Sequence, residues 1–113
     1  FCIAGDGDFL MNGQEMATAA QYGADITIVV NDNSVYGTIR GHQDREYPGR
    51  ASATALQNPD FAAMATAFGG LGIRVERTAD FREAFDRALA HKGLSLVHCL
   101  TDPSIRGARL PRA

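Results

Sequence analysis

The chain has 113 residues, 45% hydrophobic and 21% charged, with 11 basic against 13 acidic side chains and a net charge of −2. That fits one soluble globular domain with enough apolar residues for a core, and no run reaches the roughly 18 to 20 apolar residues of a membrane-spanning helix. The slight acidity offers no broad basic face to neutralise phosphates, which argues against a nucleic-acid binder.

Residues 1–5 are apolar from the first position, with no Met and no lead-in. They read as a short buried strand, and the chain is expected to be a piece of something longer. The strand ends at a Gly5-Asp6-Gly7 turn. Residues 9–22 carry Leu10, Ala17 and Ala20 at helical spacing, with Gly23 as the stop. Residues 25–31 are β-branched and nearly all apolar, as in a strand covered on both faces. The polar, Gly-rich stretch from Asp32 to Gln57 reads as a loop, functional or mobile by its length. Asn58 is the expected N-cap of a helix with Pro59 at its first position and Phe61, Met64, Ala65 and Phe68 on one face. Gly69 and Gly70 stop it, and the Gly69-Gly70-Leu71-Gly72 run carries no dinucleotide fingerprint.

Residues 72–77 alternate like a strand. Thr78 is the expected cap of a third helix with Phe81, Ala84, Phe85, Ala88 and Leu89 as its apolar stripe, closed by Gly93. Residues 94–100 are the last strand, and 103–113 read as an irregular tail in which Arg106, Arg109 and Arg112 are solvated. Cys2 and Cys99 lie in apolar strand-like runs and are expected to be reduced core residues. No signal peptide pattern is visible, so a cytoplasmic setting is expected.

The order β-α-β-loop-α-β-α-β implies an α/β fold, a parallel sheet with helices on both faces, in a single N-terminally incomplete domain over residues 1–102. Open parallel sheets bind ligands at the carboxyl ends of their strands. Two such ends are polar here, Gly5-Asp6-Gly7 and Asn31-Asp32-Asn33. Strands that are neighbours or one apart would bring them within about 5 to 10 Å. Asp6 and Asn33, with no His or Cys nearby, suit a hard cation such as Mg²⁺ or Ca²⁺ and not zinc. Gly7 permits close backbone approach, and the following helix offers free N–H groups. Together these point to a Mg²⁺-bridged phosphate or diphosphate.

Gly5-Asp6-Gly7, Asn33 at 27 positions after Asp6, Tyr36-Gly37 within VYGTIR (35–40) and the NPDFAAMATAFG helix resemble the signature of thiamine diphosphate enzymes. The similarity is to the diphosphate-binding domain of the acetolactate synthase, benzoylformate decarboxylase and pyruvate decarboxylase branch. The resemblance implies that Asp6 and Asn33 give side-chain oxygens to Mg²⁺ and Val35 its carbonyl. It implies that backbone groups at Gly7, Asp8 and Phe9, with Gly5, meet the thiamine diphosphate from one strand end and Gly37 and Thr38 from the other. Tyr36 flanks the cofactor or packs the loop. Two positions depart from the family pattern: Asp32 stands where an Asn is usual, on the side of the strand opposite Asn33, and Asp8 where a small residue or a hydroxyl is usual.

No catalytic residue is expected in the chain. The family's activating Glu lies in a pyrimidine-binding domain of another subunit, and Glu15 reads as a surface carboxylate. The isolated chain is therefore expected to be inactive. His42 and Tyr47, in the long loop, are open as substrate contacts. His91 reads as a helix-end residue and His98 as a strand residue. The resemblance implies a homodimeric or homotetrameric enzyme that decarboxylates or ligates 2-keto acids. Two other readings stand beside it: a non-catalytic half-subunit or assembly module, and a dinucleotide-type nucleotide domain, which the missing G-x-G-x-x-G argues against.

Overall fold

A computed structural model describes residues 1–104. Four strands, β1 (Cys2–Gly5), β2 (Ile26–Asp32), β3 (Leu71–Val75) and β4 (Leu94–Leu100), form one sheet in the order β1-β2-β4-β3. Every pairing is parallel. The helices are α1 (Asp6–Asn12), α2 (Met16–Gln21), α3 (Gly37–Glu46), α4 (Phe61–Ala67) and α5 (Thr78–Ala90), with a 3₁₀ turn, Gly13–Glu15, between α1 and α2. The expected tail, with Arg106, Arg109 and Arg112, lies almost wholly outside the described residues.

β2 and β4 are central, and their alternating side chains feed two cores. Ile28, Val30, Leu94 and Leu96 meet Phe9, Met16, Phe61 and Ala65 on one face. Val29 and Val97 meet Val75, Ala84 and Ala88 on the other. Helices therefore cover both faces, as a nearly continuous apolar strand requires. Phe61 is fully buried, with its ring edge-on to Phe9 at 5.3 Å and to His98 at 5.0 Å. On the second face Ser95 donates its hydroxyl to the Ala88 carbonyl at 2.9 Å, tying β4 to the last turn of α5. At Gly72 a β-carbon would run into the Ala62 backbone, so the close seat of α4 on β3 depends on glycine there.

Several expectations are corrected. The first helix begins at Asp6, and Gly5-Asp6-Gly7 is its start and not a separate turn. The intervening 3₁₀ turn, with three residues per turn, shifts the phase. The inward residues are Phe9, Met16 and, in part, Ala19, while Leu10, Ala17 and Ala20 are exposed. The expected loop contains α3, which buries no residue and so left no apolar stripe to read. The cap of α4 is Asp60, whose carboxylate accepts from the Ala63 N–H at 3.0 Å, and not Asn58. Arg77 holds the cap position of α5, and Thr78 is its first residue.

β1 is an edge strand and not a buried one: Phe1 is 77% and Ile3 69% exposed. Ile3, level with Val29, lies on the side that α5 leaves open by packing on β3 and β4; Cys2, on the other face level with Ile28, is exposed too, against the expectation of a core residue. Cys99 is partly buried, which pushes its thiol pKa up, and both cysteines are free. Within α5, Ala84 and Ala88 are buried while Phe81 and Leu89 stay exposed for the same reason.

Truncating Phe61 removes the ring that joins Phe9 to His98. In chemical denaturation of the protein that carries this chain, Phe61→Ala is expected to cost about 3–5 kcal/mol, against less than about 0.5 kcal/mol for Leu89→Ala.

Candidate functional site

Because the strands are parallel, their carboxyl ends share one edge, and the β1–β2 register sets Gly5 level with Asn31. A cavity of about 660 Å³ opens there. Gly5, Asp6, Gly7 and Asp8 form one wall, where β1 runs into α1. Asn31 and Asn33 bring the end of β2, and Val35, Tyr36, Gly37 and Thr38 bring the entry to α3. Two helix starts therefore converge on it, each with first-turn N–H groups that lack intrahelical partners. Among the residues expected at the site, Phe9 alone is not in these walls. It is the fourth residue of α1, and its ring belongs to the core behind.

The oxygen atoms at the floor are few and firmly held. Asp6 is 4% exposed; its Oδ1 accepts the Gly7 N–H at 2.9 Å and its Oδ2 accepts from Asn58 Nδ2 at 2.7 Å. Asn33 Oδ1 accepts the Val35 N–H at 3.2 Å across Ser34, which takes φ +56. Tyr36 donates its N–H to the Thr54 carbonyl and Leu56 to the Ser34 carbonyl, both at 2.9 Å, pinning the segment against Ala55. The Val35 carbonyl enters no backbone hydrogen bond among the described residues. Nor do the described residues contain a cluster of three or more His, Cys, Asp or Glu arranged to hold a metal. A cation here would rely on one carboxylate, one amide oxygen and one carbonyl. That all-oxygen set fits a hard ion that keeps several other ligands. A carboxylate or amide oxygen with one hydrogen bond still has a lone pair to offer.

A β-carbon on Gly7 would strike the Tyr36 ring, so Tyr36 both lines the cavity and packs the loop onto α1. Asp8 is exposed, and its carboxylate folds back to within 3.2 Å of the place a Gly5 β-carbon would take. There a negative charge favours the helix start. His42 and Tyr47 lie on and just after α3, away from the cavity walls. His42 Nδ1 is 2.6 Å from Arg45, and Tyr47 is exposed beneath the Arg50 guanidinium. Glu15 is an exposed carboxylate accepting the Thr18 hydroxyl at 2.7 Å. His91 caps the end of α5.

Behind the floor is a polar chain that the sequence did not reveal. Asp32, 4% exposed, accepts from Asn58 Nδ2 at 2.7 Å, from the Ser34 N–H at 2.9 Å and from His98 Nε2 at 2.9 Å. Burial pushes the Asp32 carboxyl upward, but the hydrogen bonds from His98, Asn58 and Ser34 prevail and hold it below the ordinary aspartate value. His98 is almost fully buried, and its Nδ1 lies 3.5 Å from Asp60, which Arg74 reaches at 3.4 Å from outside. Thr101, also in the cavity wall, donates its hydroxyl to the Asp32 carbonyl at 3.1 Å. Asn58 was read as a cap because it precedes a helix. The competing signal is Asp60, itself a preferred cap residue and placed directly before Phe61, the first buried residue of α4.

Residues 1–99 match the family described as "Thiamine pyrophosphate enzyme, C-terminal TPP binding domain". The acetolactate synthase large subunit of Cyanidium caldarium is 37% identical over 105 residues, 91% of this chain and 18% of its own. The acetolactate synthase isozyme 2 large subunit of Escherichia coli K12 is 38% identical over 102 residues, 89% of this chain and 19% of its own. The solved structure of the Rhodococcus jostii RHA1 thiamine diphosphate-dependent 4-hydroxybenzoylformate decarboxylase superposes with a TM-score of 0.81 at 29% identity, over 88% of this chain and 19% of that one. The chain thus spans less than a fifth of the length of these relatives.

Asp60 is held below the ordinary aspartate value chiefly by the Ala63 N–H, against a counteracting burial effect. A depressed folded pKa contributes stability above the unfolded value of about 3.9, lost as pH falls through the folded value. Asp60→Ala is expected to cost about 1 kcal/mol at pH 7, and denaturation curves of the two proteins should converge below about pH 4.

Proposed function

This chain belongs to the thiamine pyrophosphate enzymes, as their C-terminal TPP-binding domain, and from that premise we propose that it holds thiamine diphosphate through a bridging Mg²⁺ at the ends of β1 and β2. The observation that carries the reading is the cavity joining the Asp6 carboxylate, the Asn33 amide oxygen and the unbonded Val35 carbonyl. In this reading those three are the protein ligands to the cation. Gly5, Gly7 and Asp8 on one side, and Gly37 and Thr38 on the other, meet the diphosphate, with Tyr36 flanking the cofactor. The Phe9 ring supports the site from behind, through the core.

When bound, the cofactor supplies the nucleophilic carbon that lets a 2-keto acid lose CO₂. The chain's own share is electrostatic and positional. Asp6, with Asn33 and Val35, would hold the cation, whose charge would balance the diphosphate, and the two helix starts would orient that group. We assign the reaction to 2-keto-acid decarboxylation or ligation, lyase or transferase chemistry, of the kind carried by the acetolactate synthases and the decarboxylase to which the chain is similar. The activating Glu and a pyrimidine-binding domain are assigned to parts beyond this chain, in a cytoplasmic homodimer or homotetramer. Met11 and Ile39, 74% and 53% exposed at the cavity rim, support such a cover.

Calorimetric titration of the whole protein with thiamine diphosphate tests this reading. Binding is expected to require Mg²⁺, to vanish with a chelator, and to weaken at least tenfold, about 1.4 kcal/mol, in Asp6→Ala and in Asn33→Ala. Unchanged affinity in both variants overturns the metal assignment. Asp8→Ser, which removes a like charge near the diphosphate, is expected to tighten binding about two- to fivefold.

A further inference from the structure

Asn58 lies on the extended approach to α4, 52 residues from Asp6 in the sequence. Its side-chain NH₂ donates to two carboxylates at once, Asp6 Oδ2 and Asp32 Oδ1, each at 2.7 Å. An amide nitrogen carries two N–H donors, so each carboxylate takes one. The two acids are not held alike. Asp32 has further donors in His98 and in the Ser34 N–H and hydroxyl. Asp6 has only the adjacent Gly7 N–H besides Asn58. Asn58 is thus the one side chain that ties the Asp6 carboxylate to the rest of the sheet edge among the described residues.

The other end of the same amide is telling. Asn58 Oδ1 is buried with no hydrogen-bond partner among the described residues. An asparagine retained for stability alone would have both ends satisfied, because an unpaired buried acceptor is unfavourable. The gain therefore lies at the Nδ2 end. A neutral double donor can hold two buried carboxylates close together, which an acid, a hydroxyl or an alkyl group at that place cannot do.

We propose that Asn58 is the positioning residue for Asp6, fixing its carboxylate at the cavity floor so that a divalent cation meets a ligand already in place. The proposal rests on the reading of Asp6 as a cation ligand. Without Asn58 the two carboxylates face each other with no donor between them, Asp6 turns away, and an incoming cation must first order its own ligand.

The test is a double-mutant cycle on cation binding, read by electron paramagnetic resonance of Mn²⁺ added to the whole protein with saturating thiamine diphosphate. Asn58→Ala is expected to weaken Mn²⁺ about tenfold in the parent and less than twofold in an Asp6→Ala background. Asn58→Ser, which keeps one donor, is expected to fall between parent and Asn58→Ala, and serves if the alanine variant does not fold. Asp60→Ala, which loosens the neighbouring helix cap, is expected to leave Mn²⁺ affinity within twofold of the parent. Should Asn58→Ala and Asn58→Ser act no more strongly than Asp60→Ala, or equally with and without Asp6, the role is structural only and the proposal is overturned. If Asp6→Ala itself leaves Mn²⁺ binding intact, the ligand assignment fails and takes the proposal with it. An Asp6 effect with no Asn58 effect overturns the positioning role alone.

Discussion

Two buried carboxylates stand within reach of a single amide, and the ligand-binding edge of the sheet depends on that arrangement being tolerated. At about 5 Å and an effective dielectric near 20, two such charges repel by about 3 kcal/mol. What offsets this is the set of donors around them: Asn58 between the pair, and His98 and Ser34 on the far side of Asp32. Those bonds do more than neutralise. They fasten the end of β1, the end of β2, the middle of β4 and the approach to α4 at one corner, and the cavity is the space that corner leaves open.

The two sides of that cavity differ in how they are held. The β1–α1 side stands on the main core, where Phe9 packs on Phe61 and Phe61 on His98. The α3 side buries no residue at all. It hangs on the short bridge of Val35 to Ala55 and on the exchange of hydrogen bonds between Gln43 and Ser52. A firm floor thus faces a wall with little burial to resist movement, which is the distribution of stability expected around a ligand that must enter and leave.

Features with local causes were legible in the sequence. The β-branched run became central strand β2 and the apolar run 94–100 its neighbour β4, and the glycines expected to end helices at positions 23 and 69 do so with positive φ. The polar strand ends fell together because parallel pairing leaves no other outcome, so Asp6 and Asn33 could be placed on one edge before any coordinate was known. What stayed hidden has causes that lie elsewhere in the chain. Whether β1 is covered depends on where α5 sits. α3 is a helix without an apolar face. His98 gives no sign of its partner, and nothing near Asp32 in the sequence points to Asn58 or, through it, to Asp6. Such contacts are set by the final packing, and no short window of sequence contains them.

The separations along the chain have a kinetic meaning. The bonds that build the cavity floor span 52 residues from Asp6 to Asn58, 26 from Asn58 to Asp32 and 66 from Asp32 to His98. Contacts of that range carry the entropy cost of closing the loops between them, which slows folding relative to local contacts. No hairpin and no adjacent pair of helices contains this floor. The floor is therefore complete only when β4 lies beside β2 and the approach to α4 has reached both, so its geometry reports on the assembly of the whole sheet.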